Sequence, residues 1–274
     1  MNKEKYAITF ACYNALEFTQ MCIKSMLRCG TPLDRLVIVD NGSTDGTCEY
    51  IAQLGPVHKI YNQGNYACGV AWNQGALALQ AEWTIVMNND VLVSPYWIES
   101  LIGCAEARGL KVISPALIEG KLDYDFENLS TTASVKMADV CRVGGRHAVC
   151  LAVHHSVWME VGYFRAAPRL LGYEDTLFFN ELDKAGIPIG MTGASWLHHY
   201  GSITQTMMKQ ERGLSNKQGL GYRYNYRLLH QSWLERKWRK WKHNRQQQQW
   251  KADELARYGM TLHGIREDAA FKWL

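Results

Sequence analysis

The chain has 274 residues, of which 47% are apolar and 20% are charged, and its net charge at pH 7 is +4. This composition excludes a disordered or collagen-like chain, and the length suffices to bury the core of a large domain. No stretch reaches the ~18 uninterrupted apolar residues that a transmembrane helix needs, and the apolar run Tyr6–Cys12 is too short for a signal peptide. We therefore expect a globular, cytoplasmic protein.

The cysteines indicate neither a disulfide scaffold nor a metal cluster. They are dispersed without a Cys-x-x-Cys pair or a zinc-type Cys/His spacing. We expect reduced and mostly buried thiols that act as small apolar side chains. The eight are Cys12, Cys22, Cys29, Cys48, Cys68, Cys104, Cys141 and Cys150.

Strand-like and helix-like segments alternate along the first half of the chain. The predicted strands are Tyr6–Cys12, Leu36–Asp40, Val57–Tyr61, Trp83–Met87 and Val112–Pro115. The predicted helices are Ala15–Cys29, Thr44–Leu54 with Ser43 or Thr44 as its cap, Gly69–Ala81 and Pro95–Arg108. This alternation predicts βαβ units and a largely parallel sheet covered on both faces.

The second half is less regular. Leu117–Arg146 is polar and weakly patterned, which indicates a region that faces the substrate. Further strands are predicted at Ala148–His154 and Ile187–Met191, and further helices at Val157–Tyr163 and Glu174–Ala185. After Ser202 the chain becomes polar, and from about Gly221 its pattern predicts one long helix.

Polar residues follow three successive predicted strands at the point where each strand ends. They are Asp40, the pair Asn62 and Asn65, and Asn88–Asp90. Taken singly, each is an ordinary turn or helix cap. Together they would meet in one crevice, because ligands of parallel sheets bind beyond the carboxyl ends of the strands. Such a crevice suits a nucleotide, with Asp40 accepting from a base or ribose and helix-start N–H groups binding phosphate.

Four motifs in the same order resemble those of family-2 glycosyltransferases with the GT-A fold. They are Asp40–Thr47 (DNGSTDGT), Asn65–Asn73 (NYACGVAWN), Asn88–Asp90 (NND) and Gly172–Asp175 (GYED). The resemblance covers about Tyr6 to Thr204. It implies a Rossmann-like αβα sandwich with a central mixed, mostly parallel sheet. It also implies transfer of a hexosyl or deoxyhexosyl group from a nucleotide-sugar, with inversion and a divalent metal.

The resemblance also assigns the donor site. Asn88-Asn89-Asp90 stands where the family carries Asp-x-Asp, so Asp90 would hold Mn²⁺ or Mg²⁺ and Asn88 would face the sugar or ribose. Asn in the first position departs from the commonest form and leaves the motif with one carboxylate. The donor expected is a UDP- or dTDP-sugar. The donor-binding residues implied are Cys12, Asn14, Asp40, Asn41, Asn65, Gly69, Asn73, Asn88, Asn89 and Asp90.

The acceptor side follows from the same resemblance. An attacking hydroxyl must lose its proton, which requires a carboxylate within hydrogen-bond reach. Asp175 is the expected base and Glu174 its support or the acceptor's anchor, although the roles could be exchanged. Of the neighbouring histidines His198 and His199, which point to opposite faces of a strand, we assign His199 as a further metal ligand and keep His198 as the alternative.

The C-terminal segment carries most of the positive charge. Between Glu235 and Lys251, seven Lys or Arg residues oppose one Glu, a net charge of +6, so the rest of the chain sums to −2. Apolar residues recur there at helical spacing: Tyr222, Tyr226, Leu229 and Trp233 on one face, and Leu234, Trp238 and Trp241 on the next. Three interpretations stay open: packing on the catalytic domain, attachment to an anionic membrane surface, and binding to nucleic acid.

These observations predict a GT-A catalytic domain at 1–204 and a helical, basic extension at 205–274. Within the first, residues 1–116 would bind the nucleotide-sugar and 117–204 the acceptor. The function expected is an inverting glycosyltransferase of surface glycoconjugate synthesis, with a carbohydrate or lipid-linked acceptor at the cytoplasmic face of the membrane. The alternatives are a transferase that modifies DNA bases and a degenerate module that binds nucleotide-sugar without turnover. The exposed aromatic tail also makes a homo-oligomer an expectation.

Overall fold

The computed structural model describes residues 4–166, 173–201, 203, 206, 207, 213 and 228–274. Gly172 of the Gly172–Asp175 motif and Tyr222 and Tyr226 of the C-terminal segment lie outside these residues. The strands are β1 (Tyr6–Cys12), β2 (Leu36–Asp40), β3 (His58–Tyr61), β4 (Trp83–Asn88), β5 (Val91–Val93), β6 (Val112–Gly120), β7 (Cys141–Val143), β8 (Cys150–His154), β9 (Ile189–His199), β10 (His263–Glu267) and β11 (Ala270–Trp273). The helices are α1 (Leu16–Arg28), α2 (Thr47–Gln53), α3 (Cys68–Ala78), α4 (Trp97–Ala107), α5 (Phe126–Lys136), α6 (His155–Val161), α7 (Glu174–Ala185) and α8 (Trp233–Tyr258).

One mixed sheet with helices on both sides organises the described residues, which confirms the predicted fold class. Eight of its strands are hydrogen-bonded in the order β11-β10-β6-β8-β4-β1-β2-β3. The strands β3, β2, β1 and β4 pair in parallel, and β1 lies between β2 and β4. The chain therefore leaves β1 toward one side and later returns on the other, which opens a crevice at the carboxyl ends of these strands.

The second half of the sheet combines both strand directions. β8 pairs antiparallel with β4 and β6, and β9 pairs parallel with β6 and antiparallel with β5 and β7. Apolar side chains from both faces fill the core, including Phe10, Ile38 and Ile85 on one face and Val39, Val86 and Leu151 on the other. The sheet is thus parallel where the sequence alternates regularly and mixed beyond it.

Two strands are longer than the sequence predicts. β6 continues past Pro115 to Gly120, and β9 continues past Met191 to His199. Proline cannot donate to a strand ladder, so Pro115 suggests a strand end. The ladder between β6 and β9 instead shifts register between Pro115 and Ala116, and this irregularity accommodates the proline. The weakly patterned region 117–146, in which the sequence predicts no further element, also contains α5 and β7.

The helix predicted at Thr44–Leu54 begins later, at Thr47, and Ser43 does not cap it. Its cap residue is Gly46, with φ 91°, while the carboxylate of Asp45 accepts from the backbone N–H of Thr47 at 3.2 Å. The Ser43 hydroxyl oxygen accepts from the N–H of Asn14 instead, at 2.8 Å. Ser43 therefore joins two loops, which its sequence neighbours do not reveal.

The C-terminal segment is only partly helical. α8 begins after Ser232, whose side chain and that of Glu235 form a capping box, and it ends at Gly259. The hairpin β10–β11 follows and joins the sheet, because β10 pairs in parallel with β6. The prediction of a wholly helical extension was therefore wrong for its last residues. No helix among the described residues is long and apolar enough to cross a membrane.

A buried ion pair holds α8 against the sheet. Arg142 of β7 donates through Nε and Nη2 to the two carboxylate oxygens of Glu254, at 2.6 and 2.7 Å, and the two side chains are 2% and 6% exposed. Glu254 also accepts from the N–H of Leu262 at 2.8 Å, and the Arg142 guanidinium lies 5.5 Å from the Trp250 ring centroid. Each charged group thus has a partner besides the ion pair itself: the N–H of Leu262 for Glu254 and the ring of Trp250 for Arg142. A buried ion pair requires such additional contacts.

We predict that Glu254→Ala lowers the free energy of unfolding by roughly 3 kcal/mol, because it leaves a buried guanidinium unpaired. The midpoint and slope of urea unfolding measure this loss. The control is Glu181→Ala, which removes an exposed pair with Lys184 at 2.8 Å and should change stability by less than about 0.5 kcal/mol. Equal losses in the two variants would contradict an anchoring role for the buried pair.

Candidate active site

A cavity of about 820 Å³ opens at the carboxyl edge of the parallel strands. This volume lies within the range of about 300–1,000 Å³ that small-molecule sites occupy. Loops after β1, β2 and β4, the end of β9 and the start of α7 form its wall, and α8 closes one side. The predicted residues that line it are Cys12, Asn41, Asn65, Asn88, Asn89, Asp90, Glu174, Asp175 and His199.

Four predicted donor-binding residues lie behind this wall: Asn14, Asp40, Gly69 and Asn73. Asp40 is 1% exposed, and its Oδ2 accepts from the backbone N–H groups of Gly42 and Ser43, both at 3.0 Å. The carboxylate therefore shapes its own turn, as aspartate often does, and does not face the cavity. Its other oxygen lies 3.7 Å from the thiol of Cys12, whose pKa is raised well above its ordinary value by burial and the nearby carboxylate.

Asn14 joins the loops that follow β1 and β2. Its Oδ1 accepts from the N–H of Thr44 at 2.8 Å, while its own N–H donates to Ser43. The residue has a positive φ of 53°, a conformation that asparagine tolerates better than most side chains. Asn14 thus positions the cavity wall and does not line it.

Asn41 and Asn65 hold a strained residue at the start of α3. Ala67 has φ 74° and ψ 161°, a region that residues other than glycine rarely occupy. The Asn65 side chain accepts from the N–H of Ala67 at 3.0 Å, and the Asn41 side chain donates to its carbonyl oxygen at 3.4 Å. The asparagines therefore fix the backbone at the start of α3, where Ala67 and Cys68 line the cavity and where the first N–H groups of a helix have no intrahelical partner.

Asn73 and Gly69 support the acidic residues from behind. The Asn73 amide donates to the carbonyl of Phe164 at 2.7 Å and accepts from its N–H at 3.0 Å, so it holds the segment after α6. A Cβ atom added to Gly69 would lie 2.9 Å from Cγ of Glu174 and 3.2 Å from Cβ of Phe164. Glycine is therefore needed here for the close approach of Glu174 to α3.

Asp90 and His199 form the candidate metal pair. The Oδ1 atom of Asp90 and the Nε2 atom of His199 are 3.4 Å apart, and both side chains are 5% exposed. The other ring nitrogen, Nδ1, contacts a carboxylate oxygen of Glu119 at 3.1 Å, and Glu119 contacts Nε2 of His263 at 2.9 Å. A carboxylate that holds the second nitrogen of a histidine is the usual support of a metal ligand.

The charges of Asp90, Glu119 and the two histidines affect one another's protonation. Burial lowers the pKa of His199, but the hydrogen bonds and charges of Asp90 and Glu119 outweigh it, and the pKa rises to about 9. Hydrogen bonds with His199 and His263 hold the pKa of Glu119 well below its usual range. A cation bound between Asp90 and His199 would replace the proton that this environment favours.

The metal pair has few protein ligands. Among the described residues, no group of three or more His, Cys, Asp or Glu side chains could hold a metal ion. One carboxylate and one imidazole leave most coordination positions of a divalent cation to ligand oxygens and water. The donor set of Asp90 and His199 therefore fits a metal that is bound together with a diphosphate.

Asn88 and Asn89 flank this pair differently. The Asn88 amide nitrogen lies 3.4 Å from Nε2 of His199, at the cavity wall. The Asn89 amide donates to the hydroxyl of Thr19 at 2.9 Å, so it ties the loop to α1. Asn88 is therefore better placed to contact a ligand.

His198 points to the opposite face of β9. It is fully buried, its Nδ1 lies 2.8 Å from the hydroxyl of Tyr124, and burial lowers its pKa to about 4. The neutral ring packs among aromatic side chains. The alternative metal ligand is thus absent from the cavity wall.

Glu174 and Asp175 begin α7 at the far side of the cavity. The residue before them, Tyr173, has φ 80°, which turns the chain sharply into the helix. Asp175 accepts from the N–H of Thr176 at 2.7 Å, yet burial outweighs this contact and raises its pKa. A carboxylate with a raised pKa is a stronger proton acceptor, as a general base requires.

The fold and geometry agree with a comparison against protein families. The model of the family described as "Glycosyl transferase family 2" matches residues 8–172, more than half of the chain. The chain belongs to glycosyl transferase family 2. The resemblance drawn from the four motifs is therefore confirmed. Comparison with curated proteins finds none that matches this sequence.

Solved structures of other glycosyltransferases share the fold. One is the crystal structure of GalNAc-T7 with UDP, GalNAc and Mn²⁺, with a TM-score of 0.55 and 14% identity over 72% of this chain. Another is the mannosyltransferase PcManGT from Pyrobaculum calidifontis with GDP-Man and Mn²⁺, with a TM-score of 0.54 and 16% identity over 73% of this chain. The matches span 44% and 57% of those chains, so the likeness concerns the GT-A fold.

The sequence did not identify several residues of this family-2 site. Glu119 falls in the part of β6 beyond Pro115, and an acidic residue after an apolar run was its one signal. His263 comes from β10, in a segment predicted to be helical. Arg146, Arg239 and Lys240 also line the cavity, and their sequence positions carry no motif.

We predict that Gly69→Ala lowers the catalytic rate by roughly tenfold or more, because the added methyl group displaces Glu174 by contact, and a small misplacement in an active site is costly. Initial-rate measurements and the melting temperature would be compared with those of Gly103→Ala. Gly103 lies in α4 with no atom within 4 Å of an added Cβ, so this control should keep its rate and gain slightly in stability. A full rate in Gly69→Ala would contradict the close packing described above.

Proposed function

We propose that this protein transfers a hexosyl or deoxyhexosyl group from a nucleotide-sugar to a hydroxyl acceptor, with inversion at the anomeric carbon. The carrying observation is that the pair Asp90–His199 and the carboxylates Glu174 and Asp175 line one cavity. The first pair suits a metal-bound diphosphate and the second an attacking hydroxyl. This separation of roles is what a single displacement requires.

The donor side of the cavity supports a nucleoside diphosphate. It is formed by Cys12, Asn41 and Asn65 and by the N-terminus of α3, whose free N–H groups can bind phosphate oxygens. The two similar solved structures contain UDP with Mn²⁺ and GDP-Man with Mn²⁺. We propose a UDP- or dTDP-sugar as the donor, with Mn²⁺ or Mg²⁺ held by Asp90 and His199.

When bound, the cation supplies charge stabilisation for the diphosphate that leaves. Asp90 and His199 would hold it, and the contact of Glu119 with Nδ1 would keep the His199 ring in the required orientation. Asn88 lies beside these ligands and is placed to contact the donor sugar or ribose.

The reaction proposed has one chemical step. The Asp175 carboxylate accepts the proton of the acceptor hydroxyl while the new bond from oxygen to the anomeric carbon forms. The bond between that carbon and the phosphate oxygen breaks, and its electron pair leaves with the nucleoside diphosphate. Glu174, 5% exposed and packed against Gly69, supports the base or orients the acceptor.

The acceptor proposed is a carbohydrate or a lipid-linked sugar of a surface glycoconjugate. The two other hypotheses, transfer to a modified DNA base and binding of nucleotide-sugar without turnover, remain predictions. A degenerate module has no need of two carboxylates at the cavity wall, where Glu174 is buried and the half-buried Asp175 has a pKa raised by burial. Activity assays therefore separate these hypotheses best.

We predict that one class of nucleotide-sugar, in the presence of Mn²⁺, raises the melting temperature of the protein. The panel consists of UDP-, dTDP-, GDP- and CDP-sugars, each with and without the metal. In Asp90→Ala the metal-dependent part of the shift should vanish, since the only carboxylate of the Asn88–Asp90 motif is lost. Asp123→Ala, which removes a carboxylate that pairs with Arg266 at 2.6 Å, should keep the shift. The absence of a shift with every donor would contradict the donor site proposed.

We predict that Asp175→Asn lowers transfer by roughly 100-fold to 10,000-fold, the usual contribution of a general base, and leaves the donor-induced stabilisation intact. The base acts only when deprotonated, so the wild-type rate should fall as pH drops through a pKa above the ordinary value of an aspartate. The variant should lose this decrease in rate at low pH, which is the acidic limb of the pH–rate profile. Glu181→Gln, on the same helix but exposed, should keep both rate and limb. Loss of the limb in Glu174→Gln instead would show that the roles are exchanged.

A further inference from the structure

The helix α8 presents two chemically different faces. On the inner face, Arg239, Lys240 and His243 line the cavity, and Arg239 lies 3.5 Å from a carboxylate oxygen of Asp183. Farther along the same helix, Glu254 is buried against Arg142. The inner face is thus fixed to the catalytic domain.

The outer face carries a row of large apolar side chains in solvent. Trp233, Leu234, Trp238 and Trp241 are 58%, 69%, 59% and 58% exposed. Positions 234, 238 and 241 are spaced by four and three residues, so these three side chains form one continuous ridge along the helix. We call Leu234, Trp238 and Trp241 the outer ridge, and Trp233 flanks it on the neighbouring face. Isolated exposed apolar residues need no explanation, but a contiguous row indicates an interaction surface.

Cations accompany the outer ridge at a regular interval. Lys237 Nζ lies 4.2 Å from the ring centroid of Trp233, and Lys242 Nζ lies 5.4 Å from that of Trp238. The guanidinium carbon of Arg245 lies 5.7 Å from the ring centroid of Trp241. Each cation follows its tryptophan by four residues, which places the two side by side on the helix. An apolar ridge flanked by positive charge is therefore built into the sequence of α8.

We propose that the outer ridge of α8 docks the protein on an anionic lipid surface. Helices that lie in the membrane interface bury Trp and Leu side chains at the boundary of headgroups and acyl chains, while Lys and Arg contact anionic headgroups. Trp is the side chain most suited to this boundary, because its ring is apolar and its N–H is polar. The stretch from Glu235 to Lys251 has a net charge of +6 and the rest of the chain −2, so the attraction is concentrated on this helix.

Nucleic acid and a second copy of the chain fit the outer ridge less well. Leu234 is its most exposed member, and an aliphatic side chain gives neither a stacking surface nor a phosphate contact. The cations lie over the tryptophan rings and occupy faces that bases would need. Two copies that met through α8 would bring two stretches of net charge +6 together, which is unfavourable.

Docking would hold the active site beside the lipid surface. The same helix carries the outer ridge and the inner residues Arg239 and Lys240 that line the cavity, so the two faces are about one helix diameter apart, roughly 10 Å. An acceptor sugar attached to a lipid carrier lies at this height above the bilayer. This consequence rests on the proposed function, whereas the docking itself does not depend on transfer activity.

The test measures binding of the full chain to vesicles by co-sedimentation. Vesicles of phosphatidylcholine alone are compared with vesicles that contain about one third phosphatidylglycerol, at low and high salt. The triple variant Leu234→Ala, Trp238→Ala and Trp241→Ala removes the outer ridge. The matched control Leu77→Ala, Val135→Ala and Met159→Ala removes three exposed apolar side chains from α3, α5 and α6, which are 54%, 78% and 86% exposed in the wild type. Melting temperatures verify that both variants fold.

We predict salt-sensitive binding to the anionic vesicles only, lowered at least about tenfold by the ridge variant and unchanged in the control. A second variant, Lys237→Gln, Lys242→Gln and Arg245→Gln, should lower affinity roughly 100-fold at low salt, since each cation near the surface contributes about a factor of five. Wild-type protein that stays in solution with anionic vesicles would overturn the proposal. So would equal binding of the ridge variant, or tight binding to duplex or single-stranded DNA that the ridge variant alone loses. Concentration-dependent dimerisation that the ridge variant abolishes would assign the face to a second copy and overturn the proposal as well. The donor-induced thermal shift is independent of these outcomes, so failure of docking and failure of the donor site are distinguishable.

Discussion

The active site depends on how the chain leaves the carboxyl edge of a buried parallel sheet. At that edge the backbone N–H and C=O groups lose their partners in the strand ladder. Those that are buried need other hydrogen-bond partners. Asp40, Asn14, Asn65 and Asp45 supply those partners: their side-chain oxygens accept from the N–H groups of the turns that follow β2 and precede α2 and α3. The same residue types that suit a nucleotide site are therefore also required by the turns. A residue that stabilises the turns around the cavity therefore need not line the cavity itself.

This distinction explains how far the sequence predicts the site. The order of strands and helices in the first half follows from apolar periodicity and glycine-rich turns, so the position of the crevice is predictable. Which polar side chain faces the crevice is not, because it depends on where each carboxylate or amide finds its N–H partner. Asp40 points into its own turn and Asn73 holds Phe164, whereas Asn88 and Asp90 line the cavity. A sequence pattern alone does not separate these cases.

The elements that the sequence missed depend on contacts between distant residues. Pro115 is tolerated inside β6 because the ladder with β9 shifts register at that point, where the partner residues Thr192 and Trp196 are distant in the sequence. The C-terminal hairpin is short, and an isolated two-stranded hairpin is marginally stable, so its pairing with β6 and the packing of Phe271 and Trp273 on the core stabilise it. Local sequence propensity predicts neither the register shift at Pro115 nor the pairing of β10 with β6. Glu119 and His263, which meet between these two strands, were unpredictable for the same reason.

The position of Glu119 makes the C-terminal segment part of the candidate active site. Its carboxylate is shared between His199 of β9 and His263 of β10, so the orientation of the candidate metal ligand depends on the last strands of the chain. The Arg142–Glu254 pair fixes α8 to β7, which in turn pairs with β9. The candidate metal pair, the hairpin β10–β11 and α8 are therefore connected through the neighbouring strands β6, β9 and β7. The contacts of α8 with β7 also set the position of the outer ridge relative to the cavity, so one set of contacts orients both faces of the helix.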